Sequence, residues 1–275
     1  MRYLRNILRF RANAEPAHEA GPASSATAAT DGASGGEPDT DIFRGVTTEN
    51  EDNYRGAPYS IAIPNFGLRA ASSIGDLGSW YSIGEAWAQI CSEFLPRGAR
   101  VLDIGCGCAK MARFLVLDRD LAYLGVDVFY PSIYWCRREF ARHADRFRFE
   151  HLNVFNRLYN PDGDIAADEV RLPVDDASID LAICGSLFTH LVEPAFRHYL
   201  GELRRVLKPS GTALVSLHTD PPDGRFGGTE ERIDIGESCF ETFTAAAALR
   251  INVRIGNVYG QQVFALAPSE AARPS

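Results

Sequence analysis

Residues Val101–Lys110, VLDIGCGCAK, are the most informative part of the sequence for the fold. An apolar run carries an acid, Asp103, near its end and continues into a Gly-x-Gly turn made of Gly105, Cys106 and Gly107. Glycines at such a turn let backbone amides approach a ligand at the carboxyl end of a buried strand. The stretch therefore predicts a strand, a ligand-binding turn and a following helix.

Strand and helix patterns alternate on both sides of this turn. Apolar runs predict strands over residues 100–104, 121–126, 147–153, 179–184 and 212–217. Helical spacing begins at Trp80 and returns over residues 110–117, 132–144 and 194–207. This alternation predicts an α/β fold, a doubly wound, mostly parallel sheet with helices on both faces. The last two apolar segments, 251–255 and 263–266, are too close for a crossover helix and predict an antiparallel hairpin at the sheet edge.

The chain before this domain has a different composition. Residues 1–11 carry four arginines and no acid, which is typical either of a frayed start or of a short basic helix making weak peripheral contact with an anionic membrane. Residues 1–40 as a whole are predicted to be disordered because they offer little apolar surface to bury. We expect residues 41–79 to form an irregular arm, residues 80–267 the main domain and residues 268–275 a tail.

Composition and charge narrow the function classes. The formal net charge of −8 disfavours a nucleic-acid partner, since a negative field repels a polyphosphate backbone. The six cysteines include no CxxC pair, a pattern that fits reduced thiols and a cytoplasmic protein. Cys106 and Cys108 lack a second ligand pair, so no metal is expected. No apolar run approaches the roughly 18 residues that span a bilayer.

A second acid indicates what the turn binds. Asp127 closes the next strand, 20 residues after Gly107, where a carboxylate accepts the hydroxyls of a ribose. A dinucleotide enzyme has a third glycine where this chain has Lys110. The pattern therefore favours a ligand with a ribose and no pyrophosphate.

These motifs, together with three further blocks, resemble one enzyme family. The blocks are GVDV (residues 125–128), RLPVDDASIDLAICGSLFTHL (171–191) and ELRRVLKPSGTALVS (202–216). In this order they resemble the class I S-adenosylmethionine-dependent methyltransferases, and NVFNRLYNPDG (153–163) resembles bacterial members that act on small molecules or glycans. The resemblance implies a Rossmann-like seven-stranded sheet and S-adenosyl-L-methionine as cofactor. As a separate hypothesis, we expect the acceptor to be methylated at oxygen.

The resemblance also implies roles for residues on the first two strands. Asp103 and the Gly105–Gly107 turn would hold the methionine portion of the cofactor. Asp127 would hold the ribose, with Val128 beside it.

The remaining cofactor residues follow the third and fourth strands. Asn153 stands where the family more often has an acid near the adenine amino group, and the amide of Val154 would serve a ring nitrogen. Asp168 is an alternative source of that acid. Gly185 and Ser186 would border the methyl group.

Two histidines are candidates for a general base, which an alcohol acceptor needs during attack. His190 follows the fourth strand and His218 ends the fifth. Each is equally typical of a helix cap or a wet pocket lining. The long segment 218–236 has no clear pattern and is expected either to cover a substrate or to be disordered. Alternatives to a methyltransferase are a nicotinamide-dependent oxidoreductase on a related fold and a non-catalytic scaffold protein.

Overall fold

Fifteen helices and strands make up the part of the chain that the computed structural model describes, residues 61–72, 74–118, 120–219 and 224–269. In chain order they are α1 (Phe66–Ser72), α2 (Leu77–Ser92), β1 (Arg100–Ile104), α3 (Ala112–Leu115), β2 (Ala122–Asp127), α4 (Tyr130–Glu139), β3 (Phe147–His151), β4 (Ile179–Cys184), α5 (Glu193–Val206), β5 (Leu207–Leu217), β6 (Phe226–Thr229), β7 (Arg232–Ile235), α6 (Glu237–Ala246), β8 (Leu249–Val258) and β9 (Gln261–Pro268). Short 3₁₀ turns lie at Ala141–His143 and Phe188–His190.

The predicted basic helix at 1–11 and disordered segment at 1–40 lie outside the described residues, as does most of the tail. Among the helices that are described, none is long and apolar enough to cross a membrane.

Seven strands form one sheet in the order β3-β2-β1-β4-β5-β9-β8. The first five run parallel, while β9 is antiparallel to both β5 and β8. The predicted α/β class, the mostly parallel sheet and the antiparallel hairpin are confirmed. Within the hairpin, β9 pairs with β5, so β8 lies at the edge of the sheet opposite β3. The carboxyl ends of β1, β2, β4 and β5 consequently lie next to one another.

Side chains alternate between the two faces of the central strands, as a pleated strand requires. Val101 of β1 joins one hydrophobic cluster, and its neighbour Leu102 joins the other. On β4, Leu181 and Ala182 divide in the same way. Because both faces are apolar, both are covered, which makes the carboxyl ends of the strands the accessible part of the sheet for a ligand.

The described part of the predicted irregular arm is partly helical. The side-chain oxygen of Asn65 accepts a hydrogen bond from the amide of Leu68 at 2.9 Å and starts α1. Asp76 caps α2 in the same way, accepting from the amide of Ser79 at 2.7 Å, so this helix begins before Trp80. Ile61 and Leu68 are buried in the same cluster as α2.

Three local predictions need correction. The helix expected over 110–117 is reduced to the single turn α3, because residues 107–111 belong to the turn after β1. The segment 218–236, expected to be without pattern, contains the antiparallel β6–β7 hairpin. Helix α6 was missed, since the sequence argument assigned no element between 236 and 251. Two short strands with a glycine pair at 227–228 are too brief to produce a readable period.

Candidate active site

The turn after β1 is tied to the end of β2. The amides of Gly105 and Cys106 both donate to the carbonyl of Val126, at 2.8 and 3.1 Å. Gly105 and Gly107 have φ of +78° and +50°, in the left-handed region that favours glycine. The glycines that the sequence singled out therefore bend the chain back toward the end of β2, where the amides of the turn are bound.

The side chain of Asp127 ties that turn to the segment after β2 by two hydrogen bonds. Its Oδ2 accepts from the amide of Gly107 at 2.7 Å, and its Oδ1 accepts from the amide of Phe129 at 2.8 Å. Burial raises the pKa of this carboxyl, while the two amides and then the Lys110 ammonium oppose the shift. Each carboxylate oxygen keeps further acceptor capacity, which a pair of hydroxyl groups can use.

Asp103 is more deeply buried, with 6% of its surface exposed. The Tyr123 hydroxyl on β2 donates to its Oδ2 at 2.6 Å. Burial raises the pKa of Asp103 to about 6, against the opposing effects of this hydrogen bond and of Lys110. A carboxylate in such a place attracts a cation strongly, because little water screens it.

Two cavities open beside the turn. The smaller, about 230 Å³, contains Asp103 and Cys106 together with apolar groups that include Trp87. The larger, about 360 Å³, contains Asp127 and His190. The residues common to both are Gly105, Lys110, Gly185, Ser186 and Gln261. The two cavities therefore meet between the ends of β1 and β4.

A hydrogen-bond network surrounds this junction. The Ser186 amide donates to the Ser216 hydroxyl oxygen at 2.8 Å, and Gln261 Oε1 accepts from the hydroxyls of Ser216 at 2.7 Å and Ser186 at 3.0 Å. Ser186 has a φ of +61°, a conformation that costs energy for a residue with a side chain. The network thus fixes a strained backbone at the point where the cavities meet.

The two candidate histidines are placed differently. His190 lines the larger cavity, and its Nδ1 lies 2.8 Å from the carbonyl oxygen of Glu230 in the β6–β7 turn. A carbonyl can only accept, so Nδ1 carries the hydrogen and Nε2 of the neutral ring keeps its lone pair. His218 lies in neither cavity lining. Burial lowers the pKa of His218, and nearby Arg232 adds to that shift.

Of the residues predicted for the adenine end, some line the larger cavity and others lie outside both cavities. Val128 and Val154 line the larger cavity. The amide of Asn153 instead donates to Asp164 at 2.8 Å and accepts from Asn160 at 3.3 Å, so it holds the β3–β4 loop together and lies in neither cavity lining. Asp168, the alternative acid, is exposed and also lies outside both linings.

Several cavity residues were missed by the sequence argument. Tyr199 of α5, with 3% of its surface exposed, lines the larger cavity, and burial raises the pKa of its phenol. The sequence analysis placed it only within the helix predicted over 194–207. Gln261 and Tyr259 reach the site because β9 lies beside β5, a pairing that no local pattern encodes.

Comparison with known proteins agrees with this geometry. Residues 102–215 match a family model described as a methyltransferase domain. A curated relative, a tRNA (carboxymethyluridine(34)-5-O)-methyltransferase of Arabidopsis thaliana, is 28% identical over 134 residues. That match covers 48% of this chain and 27% of the relative, so the chain spans well under two thirds of the relative's length.

Two solved structures share the fold. A 1,6-didemethyltoxoflavin-N1-methyltransferase of Burkholderia thailandensis, solved with 1,6-didemethyltoxoflavin and S-adenosylhomocysteine, superimposes with a TM-score of 0.52 at 19% identity, covering 71% of this chain and 82% of that one. The PH0226 protein of Pyrococcus horikoshii gives a TM-score of 0.53 at 18% identity, covering 79% and 99%. Residues 102–215 of this chain are therefore similar to a methyltransferase domain, and the two solved structures share its fold.

Proposed function

We propose that the protein transfers the methyl group of S-adenosylmethionine to an oxygen of a small molecule or glycan, with His190 as the general base. The observation that carries this proposal is the orientation of His190. Its Nδ1 hydrogen is engaged by the Glu230 carbonyl, and the residue lines the cavity that meets the Gly105 turn at Gly185 and Ser186.

The residues present fit the cofactor. An elongated ligand that has a ribose at one end and an ammonium group at the other matches two joined cavities with a carboxylate in each. Asp127 would accept the ribose hydroxyls, Asp103 would accept the ammonium group, and Val128 and Val154 would contact the adenine. Asn153 would act indirectly, by holding the β3–β4 loop beside the cofactor site.

S-adenosylmethionine supplies a methyl group on sulfonium, so the new O–C bond forms in line as the S–C bond breaks and a neutral thioether leaves. The chain's part in the reaction is positioning and proton removal. His190 Nε2 would take the proton of the acceptor hydroxyl, while Gly185 and Ser186 would leave room for the approaching oxygen. A positioned base contributes about 10² to 10⁴ in rate.

A small acceptor is favoured over RNA. The printed name of the Arabidopsis thaliana relative specifies methylation of tRNA at an oxygen, which supports oxygen as the target atom. The net charge of −8 opposes binding of a polyanion. The Burkholderia thailandensis neighbour was solved with a small acceptor, although the likeness to it is in the fold.

The test uses S-adenosylmethionine with a tritiated methyl group. The whole chain is incubated with a metabolite extract, a glycan fraction and bulk tRNA, and the labelled fraction supplies the rate assay. His190→Ala should lower the transfer rate by about 10² to 10⁴ and leave the dissociation constant of S-adenosylhomocysteine within about twofold. His218→Ala is the matched control and should retain the wild-type rate.

Three outcomes would overturn parts of the proposal. An unchanged rate in His190→Ala removes this residue as the base, and a collapse of cofactor affinity in the same variant makes it part of the cofactor site. Labelling confined to tRNA would replace the small acceptor by RNA.

A further inference from the structure

Gln261, the first residue of β9, is a polar residue that the proposed reaction leaves without a role. It lines both cavities, as do Gly185 and Ser186, the two residues assigned to the border of the methyl group. Its position follows from the sheet. Strand β9 pairs antiparallel with β5, so the start of β9 lies beside the carboxyl end of β5.

Two serine hydroxyls hold the side-chain oxygen of Gln261. Its Oε1 accepts from Ser216 Oγ at 2.7 Å and from Ser186 Oγ at 3.0 Å. The Ser186 amide in turn donates to Ser216 Oγ at 2.8 Å, which leaves the Ser216 hydrogen for Gln261. Because both hydroxyls bind the same atom, the side-chain nitrogen Nε2 is on the other branch of the planar amide group.

The side-chain nitrogen of Gln261 has donors to spare. An amide NH₂ group can donate two hydrogen bonds. Within the part of the chain that the structure describes, Nε2 of Gln261 donates to no partner. Ser216 is buried, whereas Gln261 keeps part of its surface exposed where the two cavities meet. The cavity lining therefore contains an oriented amide whose N–H groups are available to a ligand.

We propose that Gln261 Nε2 donates a hydrogen bond to an oxygen of the acceptor other than the one that is methylated. The reacting oxygen must keep a lone pair for the methyl carbon, and a hydrogen bond from an amide would lower its nucleophilicity. A second oxygen, in a hydroxyl, ether or carbonyl group, accepts without that cost. Gln261 thus selects acceptors that carry at least two oxygens, as sugars and other polyhydroxylated molecules do. The inference rests on the proposed function, because it specifies the acceptor of the same reaction.

A purely structural role for Gln261 makes a different prediction. If Gln261 only holds the two serines, and with them the strained backbone of Ser186, any side chain that keeps the accepting oxygen should be sufficient. Glutamate has the same length and keeps that oxygen, but its second oxygen replaces the nitrogen and cannot donate when ionised. Gln261→Glu therefore removes the donor and retains the serine network.

The experiment measures kinetics with the fraction that the wild-type chain labels from tritiated S-adenosylmethionine, supplied in serial dilution. Gln261→Glu should raise the KM for that fraction at least about tenfold, because the lost hydrogen bond leaves two oxygens facing each other. The dissociation constant of S-adenosylhomocysteine should stay within about twofold. This ligand lacks the sulfonium charge, so the new carboxylate has little effect on its binding.

Gln262→Glu is the matched control. Gln262 is the next residue of β9, its Nε2 donates to the Val263 carbonyl at 3.3 Å, and it lies in neither cavity lining. The same change of charge there should leave the KM and the affinity for S-adenosylhomocysteine unchanged. Thermal melts check that both variants are folded.

Mass spectrometry of the labelled product tests the inference without any variant. The product should contain at least one oxygen in addition to the new methoxy group, and a product without one would overturn the inference. So would an unchanged KM in Gln261→Glu, which indicates a structural role, or an equal loss of S-adenosylhomocysteine affinity, which assigns Gln261 to the cofactor. Failure of the wild-type chain to label any fraction would instead overturn the proposed function, and the inference with it.

Discussion

Among single residues, Asp103 lowers the stability of the folded protein, because its buried carboxyl must ionise at neutral pH. The carboxyl lies under the turn after β1, where burial favours its neutral form and raises its pKa to about 6. At neutral pH it is nevertheless largely ionised, with the Tyr123 hydroxyl as its hydrogen-bond donor. The free energy that this costs the folded protein is what makes the carboxylate a strong partner for a bound cation.

Replacement of Asp103 by Asn should therefore stabilise the unliganded protein at neutral pH. Because the folded pKa of about 6 lies above the ordinary value of 3.8, the folded state binds more protons than the unfolded state between these values. Wild-type stability consequently falls as pH rises through this window, by up to about 3 kcal/mol for a shift of this size. Asp103→Asn removes that loss. The free energy of unfolding of the variant should therefore exceed that of the wild type by a margin that grows from pH 4.5 to pH 7.5.

Urea titrations at the two pH values measure the difference. An advantage that stays constant with pH would show that Asp103 is not strained by its burial. The same variant should bind S-adenosylhomocysteine at least about tenfold more weakly, since an amide cannot form the ion pair.

The sequence indicated the positions of Asp103 and Asp127 in the fold, but it did not indicate those of Asn153 and Gln261, for a physical reason. Asp103 and Asp127 end strands whose apolar runs are plain in the sequence, so their shared edge followed from parallel pairing. Asn153 was assigned to the adenine by analogy, but its amide is bound by Asp164 and Asn160 within the β3–β4 loop. Gln261 depended on the place of β9 in the sheet, which is a property of the whole fold.

At the scale of elements, the contact between α2 and the turn after β1 decides the shape of the site. Gly84 lies in the middle of α2, where glycine costs a helix up to about 1 kcal/mol relative to alanine. Glycine is nevertheless required there, because the backbone of Lys110 occupies the space that a Cβ on residue 84 would need. Helix propensity alone would have predicted the opposite preference.

Gly84→Ala should therefore destabilise the protein and weaken cofactor binding together. We expect the thermal midpoint to fall by several degrees and the affinity for S-adenosylhomocysteine to fall, because either α2 or the turn must shift. Gly201→Ala in α5 is the control, since a Cβ there has no atom within 4 Å and should raise stability by up to about 1 kcal/mol. Thermal melts in which both variants are stabilised would contradict this account of the contact.

Long elements were predictable and short ones were not. Strand β4 was predicted to the residue over Ile179–Cys184, and α5 was predicted within one residue at each end. The β6–β7 hairpin escaped because its four-residue strands have little apolar period, yet its turn supplies the carbonyl that orients His190. The feature that supports a catalytic role thus lies in a segment without a readable pattern.

At the scale of the whole molecule, the described chain before α2 belongs to the domain. Ile61, Ile63 and Leu68 are buried, and the Arg113 side chain on α3 donates to the carbonyl of Ile61 at 2.8 Å. Ser72 at the end of α1 lines the larger cavity. This segment therefore supports both the core and the site.

Two deletions separate this segment from what precedes it. Removal of residues 1–40 should leave the thermal midpoint nearly unchanged, since their composition offers little apolar surface to bury. Removal of residues 1–78 should lower the midpoint strongly, because it deletes several buried apolar side chains. Equal midpoints for the two deletion variants would contradict the packing of the segment, and a large loss on the first deletion would contradict the prediction for residues 1–40.

We propose that the turn after β1 and Asp127 bind S-adenosylmethionine, and calorimetric titration of the whole chain measures this binding. S-adenosylhomocysteine should bind, NAD should produce no heat, and Asp127→Ala should weaken S-adenosylhomocysteine at least tenfold, because each hydrogen bond to a charged acceptor is worth about 1.5 to 3 kcal/mol. Tight binding of NAD with no response to S-adenosylhomocysteine would contradict the account.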